Sequence, residues 1–375
     1  MFVRAVFASN SATKDVNGAT PLFAAAEQGH LDVVKRLTCV DSSEEHIDKA
    51  LNTGASPLYV ACQNGREEAA RHLLAVGADV DKATEAVRAG EGGATPLLIA
   101  VQNGHEAIVS LLIHAGAAIN KADQTGATPV YIAAQNGFAS IADKLMLAGA
   151  DFERPSSDGA TPLFKAAQNG RQEVLQLLLK AGAKAAAPAN DGATPLIMAA
   201  HNGHLEAVQC LTDLLPQEDL NTGMEETGAT ALFVAAQEGH APVVRFLLDR
   251  RADPMACLKN GASPLHLAAQ RGHIEVLTHL TNSRAEVNNL AQGEISPLFL
   301  ALQNRHDLVV ETLIRGGARI GAAEESLIKQ AGLQYLLYLN GPVLRSMVTG
   351  DELGTVPLQI LREGASLVDR LRQYC

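Results

Sequence analysis

The sequence predicts an all-α solenoid of short helix–turn–helix units, and three observations predict it. One string recurs: GATPLFKAAQNG from Gly159 returns with few changes from Gly18, Gly54, Gly93, Gly126, Gly192, Gly228 and Gly261. A worn copy, EISPLFLALQNR, begins at Glu294. The steps between starts are 36, 39, 33, 33, 33, 36, 33 and 33 residues, with T-P-L-x-x-A at a fixed phase, the mark of a stacked repeat array. Finally, 47% of the residues are hydrophobic but only 4% are aromatic and none is Trp, so the interior is built from Ala and Leu. Such an array has no single core, because each unit buries its apolar face against its neighbours. The 375 residues therefore need not divide into two or three globular domains.

The unit from Gly159 to Ala183 shows how each residue type serves this plan. Thr161 is placed to cap a helix, its hydroxyl accepting from an orphan backbone N–H. Pro162 follows with no N–H to waste and a preset φ. Leu163, Ala166 and Ala167, at i, i+3 and i+4, form one face of a short first helix. Gly170 supplies the left-handed residue that stops it. A second helix is predicted from Glu173 to Lys180 with Val174, Leu177 and Leu178 inward, ended by Gly182. Asp191-Gly192 marks a tight turn before the next Thr-Pro. The Ala-Ala pair lets helices of neighbouring units approach closely, where larger side chains would overpack the stack.

Phase, period and motif recur together nine times between Gly18 and Arg319, and on those residues the chain resembles the ankyrin-repeat proteins. The resemblance implies an ankyrin-repeat solenoid in which hairpin fingers project beside the helices. It also implies a concave side, made of first helices and fingers, where the family contacts its partners. There the repeats align three columns. One is Phe23, Tyr59, Leu98, Tyr131, Phe164, Ile197, Phe233, His266 and Phe299. The family usually has His at this place, and only His266 keeps it; elsewhere an inter-repeat hydrogen bond is traded for apolar packing. The other two columns supply the expected protein-binding residues: Gln63, Asn64, Gln102, Asn103, Gln135, Asn136, Gln168, Asn169, His201, Asn202, Gln237 and Gln270. Amides are good interface hydrogen-bonders, although near-identical units also follow from recent duplication. A surface this uniform suits an extended or itself repetitive partner.

Three segments are expected: a leader at 1–17, nine repeats over 18–320 and a helical cap over 321–375. Two explanations of the leader compete. Phe2, Val3, Val6 and Phe7 tuck over the first repeat, or the chain is part of a longer protein. Repeat one departs after Leu37 into a polar linker, Asp41 to Glu45. Longer inter-repeat insertions lie between Val80 and Gly93 and between Leu211 and Gly228, where length is tolerated cheaply. In the tail, helices are predicted over Ala323–Leu339 and Val356–Tyr374. They read as a cap on the last repeat. The sharper alternative is a recruiting box like that of ubiquitin-ligase adaptors in the family, for which Leu371 to Cys375 offers a bare L-x-x-x-C.

The charge of −11 argues against a nucleic-acid or anionic-membrane binder, which needs a basic face. Cys39, Cys62, Cys210, Cys257 and Cys375 are scattered and odd in number, unlike a disulfide framework or a zinc site. A reducing compartment, cytoplasmic or nuclear, is expected. No apolar run reaches the ~20 residues that span a bilayer. The sequence contains no G-x-x-x-x-G-K-[ST], H-E-x-x-H or G-x-S-x-G. His30, His105, His204, His240 and His273 follow the helix-ending glycines, one per unit. Helix axes stand ~8–10 Å apart, too far for a metal that holds imidazoles at about 2 Å, so the column is read as hydrogen-bonding the loops between repeats. His201 with Cys210 lacks a third orienting group, and Cys210 falls on an apolar helix phase. Leu280 with Glu286-Val287-Asn288 resembles the pattern that asparaginyl hydroxylases use in the family. Asn120, with Leu112 before it, matches less well, and the plainer role of Asn288 is in its turn.

The expectation is thus a non-enzymatic scaffold or adaptor, a monomer without metal or cofactor, that binds a protein partner through the concave side. The rival is a regulatory or substrate-recruiting arm of an enzyme complex such as a ubiquitin ligase.

Overall fold

The computed structural model describes residues 18–85 and 92–331. The chain divides into two compact units, Met1–Ala199 and Ala200–Cys375. The first holds the helix pairs α1 (Pro21–Gln28) and α2 (Leu31–Val40), α4 (Pro57–Gln63) and α5 (Glu67–Ala75), α6 (Pro96–Gln102) and α7 (Glu106–His114), α8 (Pro129–Asn136) and α9 (Ala139–Leu147), and α10 (Pro162–Gln168) and α11 (Gln172–Lys180), with the short α3 (Glu44–Ile47) after the first pair. The division falls within α12 (Pro195–His201). The second unit continues with α13 (Leu205–Thr212), α14 (Ala231–Glu238) and α15 (Ala241–Asp249), α16 (Pro264–Arg271) and α17 (Ile274–Asn282), α18 (Pro297–Gln303) and α19 (Asp307–Arg315), and α20 (Ala322–Gln330).

The Thr-Pro signal starts the first helices as the sequence predicts. The hydroxyls of Thr20, Ser56, Thr95, Thr161 and Thr230 accept from the N–H three residues on, at 3.1–3.2 Å. Each satisfies one of the four donors a helix start leaves open. In the first unit α1, α4, α6, α8 and α10 pack in sequence as one layer, and α2, α5, α7, α9 and α11 as a second. The second unit repeats this with α14, α16 and α18 against α13, α15, α17 and α19. Ala133, Ala134, Ala166, Ala167, Ala235, Ala236, Ala268 and Ala269 are fully buried, so the small pair does sit where helices close in. One core expectation is corrected. In α11 the buried residues are Val174, Leu175 and Leu178, while Leu177 is half-buried. The helix faces both its own first helix and the neighbouring second helices, so it buries i, i+1 and i+4. Ile108, Val109 and Leu112 of α7 repeat the pattern.

The fingers are tighter than hairpin strands. Asp123 N–H donates to Ala127 O at 3.1 Å and Gly126 N–H returns to Asp123 O at 3.0 Å, which closes the turn before a ladder can grow. Among the described residues only Ala291 and Ile295 form a β-bridge. The same two bonds close the finger with the longest insertion: Thr84 N–H to Ala94 O, 3.0 Å, and Gly93 N–H to Thr84 O, 2.8 Å. The insertion after Leu211 is anchored instead. Its 3₁₀ turn Asp219–Asn221 buries Leu220, and Asn221 Oδ1 accepts from Asp253 N–H at 2.8 Å. The polar linker of repeat one contains α3, entered as Asp41 Oδ1 accepts from Ser43 N–H at 2.9 Å. In the tail a helix runs Ala322–Gln330, and the predicted span beyond Ala331, to Leu339, lies outside the described residues. The helix buries Ile328 fully and packs on α18. The leader, the predicted Val356–Tyr374 helix and the L-x-x-x-C end lie outside the described residues.

Neighbouring repeats lock together where a first helix ends. Gly239 has φ 83°, and an added Cβ would stand 2.7 Å from the His273 ring. From that position His273 Nε2–H donates to Gln237 O at 3.1 Å. His105, His240 and His306 make the same bond, to Gln63, His201 and Gln270 carbonyls, at 2.9–3.0 Å. Arg66 and Arg171 make it with Nε, to Glu27 and Gln135, at 3.0 and 3.2 Å. Where the position is Phe138, Asn136 Nδ2 donates to Gln102 O instead, at 3.2 Å. The inter-repeat role expected of the histidine column therefore holds for His105, His240 and His273, and Arg performs it equally.

Two outcomes follow for stability. Gly149, at φ 91° with open space around it, should lose only the left-handed strain of ~1–2 kcal/mol on change to Ala. Gly239→Ala should cost that plus about 1 kcal/mol for the displaced His273 bond. Likewise His105→Ala should lose about 1 kcal/mol and His105→Arg much less. Urea melts of the full chain would check both orderings. Equal costs at Gly239 and Gly149, or at the two His105 variants, would contradict the interlock.

Candidate functional site

The three columns on the side formed by first helices and fingers differ once folded. The first is mostly core, with only Tyr59 and Phe299 half-buried. Phe164 is 5% exposed, Tyr131 6%, Ile197 2% and Phe233 1%. The rings fill the gap between successive first helices. His266, fully buried, replaces that apolar filling with polar bonds. Its Nε2 lies 3.1 Å from Ile295 O, a pure acceptor, so Nε2 carries the proton. Nδ1 then accepts from Ser263 N–H at 3.1 Å, with Ser263 Oγ 2.8 Å away. Burial pushes this imidazole below its ordinary pKa.

The Asn column is largely consumed by the fold. The side-chain amides of Asn64, Asn103 and Asn169 donate to the carbonyls of Val60, Ile99 and Lys165 at 2.9–3.1 Å, closing the ends of their own helices. Asn136 crosses to the preceding repeat, as described above. In the second unit the column becomes an ion pair, Arg271 to Glu238 at 3.1 Å. The Gln237 amide also donates to Glu238, at 2.8 Å, and these partners hold the Glu238 carboxyl below its usual range.

The Gln column is what remains presented. Gln63, Gln102, Gln135 and Gln270 are exposed; Gln168, Gln237 and His201 are half-buried. The structure brings Gln63, Gln102, Gln135 and Gln168 together along the first unit, and His201, Gln237 and Gln270 along the second. Asn202 is exposed beside His201.

A fourth column escapes sequence reasoning. The residue after each aromatic position is Ala24, Val60, Ile99, Ile132, Lys165 and Met198 in the first unit, and Val234, Leu267 and Leu300 in the second. Ile132, Lys165 and Met198 in the first unit and Leu267 and Leu300 in the second are half-buried, so each unit carries an aliphatic stripe beside its amides, the first with one charge in it. The sequence carries the signal: eight of the nine positions are apolar, while Lys165 stands in the unit that represents the rest. Its Nζ lies 6.0 Å from the Tyr131 ring centroid, 5.7 Å from that of Phe164 and 3.5 Å from Asp158 Oδ2. Burial alone would raise the Asp158 carboxyl. Ser156, the Ala160 N–H and Lys165 together hold it below its usual range.

Two concavities open between fingers and first helices of the first unit. One, of about 450 Å³, is lined by Phe23, Glu27, Leu51, Tyr59, Val60, Gln63, Thr84, Glu85 and neighbouring backbone. The other, of about 260 Å³, is lined by Asp158, Phe164, Lys165, Gln168, Met198 and the finger residues Ala189 to Asp191.

Asn288 sits in an inter-repeat turn with both amide ends engaged. Its Oδ1 accepts from Arg319 N–H at 2.7 Å and its Nδ2 donates to Gly317 O at 3.1 Å. Asn120 makes the same pair of bonds, to Asp151 N–H and Gly149 O. Cys62 is buried, which pushes its thiol up, whereas Cys210, expected in the core, is half-buried because α13 turns Ala207, Val208 and Leu211 inward instead. Among the described residues no group of three His, Cys, Asp or Glu is placed to hold a metal ion, and no helix is long and apolar enough to cross a membrane.

Models of ankyrin repeats match this chain over residues 2–281. A three-copy model matches residues 2–84, 44–123, 97–189 and 184–256, and a many-copy model matches 232–281. The ninth repeat lies beyond these matches, yet it folds as α18 and α19. No curated protein matches the chain. Among solved structures it is similar to the crystal structure of the human ASB11 ankyrin repeat domain, with 26% identity and a TM-score of 0.52, over 66% of this chain and 99% of that one.

The His266 geometry carries a pH dependence. Its folded pKa lies below the unfolded value of 6.5, so its contribution is fully present above that value and is lost as pH falls through the folded pKa. Between about pH 7 and pH 5 the parent should lose stability more steeply than His266→Phe, which fills the site as Phe233 does. Parallel slopes in melts across that range would contradict it.

Proposed function

We propose, from the premise that this chain belongs to the ankyrin-repeat family, that it is a non-catalytic scaffold or adaptor holding a protein partner on the side formed by its first helices and fingers. Ankyrin repeats are in general protein–protein interaction modules. The observation that carries the reading here is the pairing of a presented Gln row with an aliphatic stripe, bounded by fingers. Apolar area supplies affinity, amides fix register, and helices locked to their neighbours need little ordering on binding. The contact residues are then Gln63, Gln102, Gln135 and Gln168 in the first unit and His201, Gln237 and Gln270 in the second. Asn64, Asn103 and Asn169 contribute less, since their amides already close helices.

The test is the double change Gln135→Arg and Gln168→Arg. Surface changes of this kind alter stability by within ~0.5 kcal/mol, whereas loss of central contacts costs about 2 kcal/mol or more in binding. Circular dichroism should show an unchanged fold, and affinity for a co-purified partner should drop at least tenfold, the equivalent of about 1.4 kcal/mol. A folded variant with full affinity would move the site to the second helices or the tail.

A further inference from the structure

The trough of the first unit contains a cation of its own, and that cation shows how the trough receives one. Lys165 extends over the rings of Tyr131 and Phe164, 6.0 and 5.7 Å from their centroids, with its ammonium facing the finger carboxylate of Asp158. Ring beneath and carboxylate beside is a favourable seat for an ammonium or guanidinium. In the larger concavity the same parts recur without such a cation among the described residues. Phe23 and Tyr59 supply rings, Glu27 and Glu85 supply carboxylates, and the residue in the place of Lys165 is Val60. Among the described residues no Lys or Arg lines it. Over the two concavities the carboxylates of Glu27, Glu85, Asp158 and Asp191 face, among the described lining residues, a single ammonium that Asp158 already pairs.

We infer that the occupant of this trough is an extended peptide segment of a partner protein bearing Lys or Arg, and that one such side chain enters the concavity between Tyr59 and the carboxylates of Glu27 and Glu85. The inference rests on the reading of the first-helix and finger side as the binding face. An extended chain advances ~3.3 Å per residue, against helix axes ~8–10 Å apart. One side chain in three thus meets each repeat, and basic residues at that spacing follow the row of finger carboxylates. Aliphatic residues between them would lie on the stripe of Ile132 and Met198.

The experiment pans a random twelve-residue peptide display library against the full chain and measures selected peptides by fluorescence polarisation. The expected winners are rich in Lys and Arg and bind more weakly as ionic strength rises. They should lose affinity roughly tenfold or more with Glu27→Gln plus Glu85→Gln, a pair of changes that leaves the core untouched and whose fold circular dichroism confirms. Neutral or acidic winners that compete with one another and are lost with Gln63→Arg plus Gln102→Arg would overturn the basic chemistry while sustaining the binding face. Basic winners indifferent to both double variants would overturn the face as well. Failure to enrich any peptide would overturn the extended-segment inference, leaving the face to be judged by the Gln135→Arg, Gln168→Arg test. Self-association that disappears with the glutamate changes would replace the peptide by a second copy of the chain.

Discussion

A side chain laid across a glycine of the preceding repeat is the contact on which the rest of the structure depends. His240, His273 and His306 each press on a residue with no Cβ and donate to a carbonyl two residues before it. The bond satisfies an acceptor that the end of a first helix leaves open, and it sets the distance between repeats. At that distance the first place of the pair is Ala in every repeat and the second is Ala in most, with Cys62, Val101 and Leu302 the buried exceptions. Arg66 and Arg171 preserve the bond with a different group, and Asn136 preserves it from a different position. What is kept is the donor and its placement, not the residue type. In the ninth repeat the glycine gives way to Arg305, which holds φ 60°. The left-handed backbone survives there without its usual residue.

This interlock divides the polar residues of the first helices into two groups. Those near the helix end are used internally: backbone carbonyls of the Gln row take the inter-repeat donors, and Asn amides close helices. The Gln side chains point away from both tasks and are left on the surface. A row of presented amides therefore emerges beside a structural seam, one residue apart in sequence. The fingers extend the same separation. Those at Leu51, Thr84, Asp123, Ser156, Ala189, Met224 and Leu258 are closed by two backbone bonds at the base, made within the finger rather than to the helices.

Much of this is legible in the chain alone. Repeat period, phase, the Thr-Pro starts and the Ala pairs follow from residues within a few positions of one another, and local geometry decides them. Copies of a motif also align with each other, so the columns are visible in the sequence itself. The columns do not carry their own interpretation. Sequence reasoning places Phe164, Gln168 and Asn169 on one surface, and folding separates all three: a core ring, a presented amide and a helix-closing amide. The aliphatic stripe is hidden in the sequence because Lys165 stands in it.

By itself, then, the sequence determined the architecture, the number of repeats and which residue types recur at each station, because caps, turns and close packing are set by neighbours along the chain. Only the tertiary structure decided which of those stations face outward, where a partner can reach them. Whether an amide is spent or presented depends on an acceptor in its own helix turn or in the repeat before it. Whether a ring is core or surface depends on a helix some 33 residues away. Those distances in space are fixed by the stack, and no single unit contains them.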